Sequence, residues 1–476
     1  MAARQSAPAL TAMLGASGRT DGSSPGAGRG WRVSTYKSRA ETVRTISELP
    51  ADADVVVIGA GIAGVSAALF LNEKGLRTVV LEKGFVAGEQ SSRAFGWIYT
   101  NGWDTGKLEL ANRSKAIWDS FASRFGEDIG FRRSGNFMLL ATDDEVDVQK
   151  AWLKSALEAQ PQMDARFISG SELDGHIPGA SEKFKAALHQ ASDGTAEPTY
   201  SVSAIARGAI REGVRIVSPC AARTIDREVG KVCGVRTELG YIKTRHVVIA
   251  GGAWSSLFAG NLGVHLPQLA INSSMQWLSR IDDALPGAGN GPDFTWRRMD
   301  NGETAVGVAR NVFPITKDSF RFFRDFVPAL KHSRDLLKIR LSRDLIASLR
   351  VKSRWTGEER TPFEDVRVLA GRLDVHETNR ALANLRRAYP QYEGAEVKER
   401  WGSMIDATPD STQFVCDVPS VPGLFVITGF SGNGLTSAPG SGEMISEMVA
   451  GEKTTCDPSI YRFGRFTDGS KFVFRH

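Results

Sequence analysis

The run Val55-Val56-Val57-Ile58 is followed by a glycine-rich turn and then by an apolar stretch that carries no charge as far as Leu71. The short run predicts a strand buried on both faces, and the longer stretch, Ala63–Lys74 with Gly75 behind it, predicts a helix. Thr78–Leu81 predicts the second strand of the unit. Beyond it, Leu108–Phe125 and Asp143–Ala159 carry apolar residues at helical spacing, the latter behind an acidic first turn. Gly135–Ala141 reads as a strand between them. Asp193–Pro198 reads as a turn feeding a helix over Tyr200–Glu212, with a strand at Val214–Val217. Val232–Glu238 and Tyr241–Thr244 read as a hairpin joined at Leu239-Gly240. They lead into a buried strand from His246 that ends in Gly251-Gly252-Ala253-Trp254. The last unit is an apolar strand from Gly423 to Thr428, the turn Gly429-Phe430-Ser431-Gly432-Asn433-Gly434 and an apolar helix to about Ala450. Phe320–Trp355 is helical in period and rich in Lys and Arg. With Asp325, Asp335 and Asp344 interspersed it reads as a solvated helix face, an anionic surface or partner being the alternative.

The first turn, Gly59-Ala60-Gly61-Ile62-Ala63-Gly64, stands between a strand and a helix, and Glu82 closes the second strand about 20 residues later. Gly59 permits the tight turn, Gly61 lets the backbone approach a pyrophosphate, and Gly64 lets helix and strand pack closely. The free N–H groups at the helix start, around Ile62 and Ala63, attract phosphate charge. Glu82, with Lys83 beside it, stands where an acid accepts hydrogen bonds from a ribose. A glycine-rich turn in an ordinary βαβ unit is the bland alternative. Five parts in the right order favour an adenine dinucleotide.

At 476 residues the chain predicts two or three domains, and 42 % hydrophobic with 24 % charged residues is ordinary globular composition. The net charge of +5 is modest, and no basic and aromatic module of the nucleic-acid kind is present. Cys220, Cys233, Cys416 and Cys456 are scattered without CxxC spacing, so neither a disulfide framework nor a metal site is expected. The uncharged run from Val55 to Leu71 is broken by turn glycines, which argues against a transmembrane segment. Up to Ala40 the chain holds six Lys or Arg and the single acid Asp21. Residues 1–50 are therefore expected to be a flexible extension. The expected location is cytoplasmic, with organelle targeting as the alternative if this segment is a transit peptide.

Together, the first turn with Glu82, the loop Ser91-Ser92-Arg93, the Pro198 helix with Gly213-Val214, the Gly251-Gly252-Ala253-Trp254 strand end, Trp401 with Thr408-Pro409-Asp410, and Gly429–Leu435 resemble the D-amino-acid oxidase superfamily of FAD-dependent oxidoreductases. That group includes glycine oxidase, sarcosine oxidase and γ-glutamylputrescine oxidase. The resemblance implies an α/β fold. A Rossmann-like FAD-binding domain (51–130, 187–262 and 399–452) would be interleaved with a substrate domain on a mixed, mainly antiparallel sheet (131–186 and 263–398), followed by a tail (453–476). It implies that Gly59, Gly61, Ile62, Ala63 and Gly64 hold the pyrophosphate and that Glu82 and Lys83 meet the adenosine ribose. Ser91, Ser92 and Arg93 would approach the pyrophosphate and flavin, Ala222 would flank the adenine, and Gly251, Gly252 and Trp254 would line the cofactor. Gly432, Asn433, Gly434, Leu435 and Thr436 would lie by the flavin, with the following helix dipole near its pyrimidine end.

Departures from the family are informative. Where relatives that oxidise amino acids carry a carboxylate-binding Arg or Lys, the chain has Ile405 and Thr436, so no charge-assisted partner is expected there. Asp406 is a candidate for holding a substrate ammonium, a turn or cap role being the alternative, and Arg297, Arg298 and Arg93 are alternative carboxylate partners. Ser403 and Arg93 stand at the positions of flavin-linked Cys and His residues, which implies non-covalent FAD. Arg93, Trp97, Tyr99, Asp406 and Asn433 are the candidate pocket residues. The expected reaction is oxidation of a primary or secondary amine, or an amino-acid derivative, to an imine, with oxygen or another compound as electron acceptor. The alternatives are a D-amino-acid or opine-type dehydrogenase and a flavoprotein subunit whose FAD is mainly structural.

Overall fold

The computed structural model describes residues 40–181, 184–332 and 337–475. Most of the expected N-terminal extension, residues 1–39, lies outside them. Its last part is held in place: the Ile46 N–H donates to the Ile216 carbonyl (3.0 Å), the Ser218 N–H to the Ile46 carbonyl (3.2 Å) and the Glu41 N–H to the Thr199 carbonyl (2.9 Å).

Val55–Ile58, Thr78–Leu81, Arg215–Val217, His246–Ile249 and Leu424–Thr428 form a parallel sheet, with Phe414–Asp417 antiparallel at one edge. Both faces are covered, so the central strands are continuous runs of Val and Ile, with Val55, Val56 and Val57 fully buried. Helices Ile62–Glu73 and Gly434–Ala450 both pack on this sheet and against each other. A Cβ on Gly442 would come within 2.7 Å of backbone atoms of both Ser66 and Ala67. The two helices that follow the two glycine turns therefore touch at their backbones.

A second sheet of ten strands carries Asn136–Leu140, Ala165–Ile168, Ala186–Gln190, the strands between Leu269 and Arg340, and Val397–Ala407. Leu269–Leu278 and Val397–Ala407 pair antiparallel along almost their whole length, setting Ser273 opposite Ser403 and Ala270 opposite Asp406. Ala186–Gln190 and Val397–Ala407, at the expected boundaries of 187 and 399, belong to the larger sheet.

Helices Leu108–Phe125 and Asp143–Ala159 match their expected spans, and Thr142 with Glu145 closes a capping box on the second. Phe320–Trp355 is not one helix. It comprises helices Lys317–Arg321, Phe323–His332 and Arg343–Arg350 and strand Leu337–Arg340, with residues 333–336 outside the described part. Phe320, Phe323, Ile339, Leu341, Ile346 and Leu349 are all more than half exposed there. Asp193–Pro198, expected as a turn, contains the short strand Gly194–Ala196. The tail packs on the parallel sheet, with Arg465 paired to Asp410 (2.7 Å) and lying over Phe414. No described helix is long and apolar enough to cross a membrane.

Candidate functional site

A cleft runs from the first glycine turn to the paired strands of the larger sheet. At one end, strand Val55–Ile58 delivers Gly59 with φ +109°, and a Cβ there would lie 2.5 Å from the Ala250 carbonyl oxygen. Only glycine fits this approach of two strand ends. A Cβ on Gly64 would collide with the Gly59 carbonyl, so turn and helix need both residues. The Glu82 carboxylate accepts from Ala60 N–H (2.9 Å) and Gly84 N–H (2.7 Å), which pins it across the turn. Burial pushes its pKa up, against the pull of Lys83 and these donors. Ser91 accepts from Ile62 N–H (3.0 Å), so its hydroxyl stands at the start of the helix.

Of the residues expected to meet the cofactor, Gly59, Gly61, Ile62, Ala63, Glu82, Lys83, Ser91, Ala222, Gly251, Gly252 and Trp254 line the cleft. Lys83 is paired to Glu89 (2.6 Å). At the far end Gly432, Gly434 and Leu435 line it, whereas Asn433 and Thr436 do not. Asn433 stands at the N-cap position of helix Gly434–Ala450, without a side-chain capping hydrogen bond. The Thr436 hydroxyl accepts from Tyr99 N–H (3.2 Å) and donates to the Trp97 carbonyl (3.4 Å). Ser92 and Arg93 lie behind the wall, both buried, and the Arg93 guanidinium reaches the carbonyls of Gly88 (3.0 Å) and Leu369 (3.1 Å).

The substrate-side candidates are rearranged. Trp97 meets Phe95 edge-on, with ring centroids 5.0 Å apart, and Tyr99 lies tilted against Trp97 at 4.8 Å; of the three rings, only Phe95 lines the cleft. Asp406 does line it, but its carboxylate is taken by the protein. Oδ1 accepts from Gln90 (3.0 Å), and Oδ2 accepts from Gln268 (3.1 Å) and Gly429 N–H (2.9 Å). The Thr428 hydroxyl lies at 3.5 Å. All four partners are neutral, and burial pushes the Asp406 pKa up. This geometry fits a cross-tie between the two sheets better than an acceptor reserved for a substrate ammonium.

Arg297 is likewise committed. It forms a buried pair with Glu197 (2.7 and 3.3 Å) and donates through Nε to the Phe95 carbonyl (2.7 Å). Arg298 follows it on the opposite face of the strand. The cleft wall at this end is Phe95, Ser273, Met275, Ser403, Met404 and Ile405. Sequence reading missed Gln268 and Phe363, which carry no motif of their own, and did not single out Gln90 and Phe95 in the loop that carries Ser91. Only the placement of Gln90 beside Ser91 pointed to it.

The residues fit an adenine dinucleotide flavin. The first turn leaves the backbone bare where a pyrophosphate would approach. Glu82, the acid expected for a ribose, lines the same end, and the second helix N-terminus faces the opposite end of the same cleft. No cysteine or histidine lines the cleft among the described residues, and burial raises the Cys416 thiol far above its ordinary pKa. A family model described as FAD dependent oxidoreductase matches residues 54–448. The L-amino acid deaminase of Proteus myxofaciens, solved in complex with anthranilate, is 32 % identical with a TM-score of 0.88, over 90 % of this chain and 97 % of that one. Glycine oxidase of Pseudomonas putida is 25 % identical over 420 residues, 86 % of this chain and 97 % of the relative. Sarcosine oxidase subunit beta of Rhodobacter capsulatus is 23 % identical over 433 residues, 88 % and 90 % of the two chains.

Proposed function

Because the chain belongs to the FAD-dependent oxidoreductase family, whose members similar to it include amine and amino-acid oxidising enzymes, we propose that it oxidises the C–N bond of a primary or secondary amine, or an amino-acid derivative, to an imine. FAD, held without a covalent bond, supplies the hydride acceptor. The observation that carries the reading is one cleft joining the first glycine turn to an apolar chamber against the face of the paired strands.

The chain's residues have the following roles in this reading. The first turn and Glu82 fix the adenosine and pyrophosphate half. The N-terminus of helix Gly434–Ala450 presents partial positive charge to the flavin end. Phe95, Met275, Met404 and Ile405 exclude water and keep an amine unprotonated, the form that gives up a hydride. Ser273 and Ser403 orient the substrate. No buried acid or base is required to move a proton from carbon. Trp97, backed by Tyr99, holds Phe95 from behind, and Arg93 holds the loop that carries Ser91.

The likeness to an L-amino acid deaminase favours amino-acid substrates as a second reading. Since Arg297 is neutralised by Glu197, a carboxylate in the chamber would be met by hydroxyls and amides. The loaded protein should therefore be mixed anaerobically with panels of simple amines, L-amino acids, D-amino acids and opines. Bleaching of the flavin band by amines supports the first reading, and bleaching by amino acids or opines alone replaces it with the second. No bleaching by any panel removes both and leaves an assembly role, for which the six exposed apolar residues between Phe320 and Leu349 supply a surface.

A further inference from the structure

We propose that residues 355–371 form a strap that grips the adenosine half of FAD, with Phe363 as the ring facing the adenine. The inference rests on FAD being the cofactor. The glycine-turn motif does not include this segment, which lies more than 270 residues from the turn.

Phe363 is 5 % exposed and lines the cleft with Glu82, Ala222 and Trp254, the residues at its adenosine end. Its ring is held edge-on by Trp254 (5.5 Å between centroids) and Trp355 (5.4 Å), with Phe258 at 5.8 Å. One side of this aromatic cluster is the cleft wall. An aromatic ring there offers a flat apolar surface to a purine.

Both flanks of Phe363 are tied to the dinucleotide-binding elements. On one side Trp355 donates to the Arg223 carbonyl (2.6 Å), and Arg223 pairs with Glu364 (2.9 and 3.0 Å), next to Ala222. On the other, Lys83 donates to the carbonyls of Val366 (2.8 Å) and Arg367 (3.0 Å), and Arg367 donates back to the Lys83 carbonyl (2.8 Å). Leu369 N–H donates to Glu89 (2.7 Å), whose carboxylate also receives Lys83 and the Trp254 indole. Gly84 has no room for a side chain, since a Cβ would strike the Arg367 carbonyl. The segment is thus built onto the end of the second strand, directly beside Glu82.

The test uses the full-length protein stripped of flavin and titrated with FAD, ADP and FMN, followed by flavin fluorescence and by competition. In Phe363→Ala, the dissociation constants for FAD and ADP should rise about tenfold or more, while that for FMN, which lacks adenosine, stays within about twofold. Phe363→Tyr should restore FAD affinity. Should the alanine variant fail to fold, Phe363→Leu keeps apolar volume in the cluster and should show the same selective loss. Unchanged FAD affinity, or equal weakening of FAD and FMN, overturns the strap. Failure of the wild-type protein to bind either flavin overturns the FAD reading itself, and the strap with it.

Discussion

Asp406 shows how much of this site depends on single buried groups. Its carboxylate has three close donors, no cation, and a pKa raised by burial above the ordinary 3.8. A raised folded-state pKa in an acid means the folded protein holds that proton more tightly than the unfolded chain. The contribution of Asp406 to stability therefore falls as pH rises from about 4 through the folded pKa. Asp406→Asn should remove this component, so the wild-type minus variant difference in melting temperature should vary with pH in that window; a pH-independent difference would refute the assignment. Because the amide turns one acceptor into a donor facing Gln90, Gln268 or Gly429, the variant should lose about 1–3 kcal/mol at neutral pH, read by denaturant unfolding of the loaded protein. Gly59→Ala should fail differently. Its φ of +109° and the 2.5 Å approach to the Ala250 carbonyl admit no Cβ, so the variant should be purified without flavin or fail to fold. A stably yellow Gly59→Ala protein would contradict the geometry.

At the scale of elements, what was legible is what local physics decides. Strand Val55–Ile58, helices Leu108–Phe125 and Asp143–Ala159 and the last strand and helix have strong periodicity or caps and were placed within a residue or two. The 320–355 segment was misread because its basic residues recur at helical spacing, while the chain turns between the elements and one piece, Leu337–Arg340, pairs as an edge strand of the larger sheet. Strand Ala222–Glu228 was missed because its alternation is interrupted by charged residues that pair across space, as Arg223 does with Glu364. The same limit applied to Arg297. From sequence it is a free cation, and only tertiary structure supplies Glu197. That pair joins strand Phe294–Arg298 to the segment leading into helix Ser201–Arg211. Removing one partner of such a buried pair costs about 3–5 kcal/mol, so Glu197→Ala should lower the melting temperature sharply. Replacing both partners by apolar residues of similar size should recover much of the loss. If Glu197→Ala is as stable as the wild type, the tie contributes nothing.

On the scale of the whole molecule, the cleft lies between two sheets, and Asp406 is one of the polar ties between them. Strand Val397–Ala407 pairs with Leu269–Leu278 in the larger sheet, yet its end at Asp406 is held by Gly429 and Thr428 at the end of the last strand of the parallel sheet. A cofactor filling the cleft touches both sides and binds only the assembled form, so free FAD at 100 times its dissociation constant should add about 2.7 kcal/mol of stability. The added protection should reach beyond the glycine turn. Hydrogen exchange should slow on FAD binding at both Gly59–Gly64 and Ser403–Asp406, because the second segment can open only when the cleft does. ADP should slow the first segment and leave the second near its flavin-free rate, since it reaches only the adenosine end. Equal protection of Ser403–Asp406 by ADP and FAD would mean that the sheets are coupled without the flavin half, and the cleft would then be a preformed groove and not a joint closed by its cofactor.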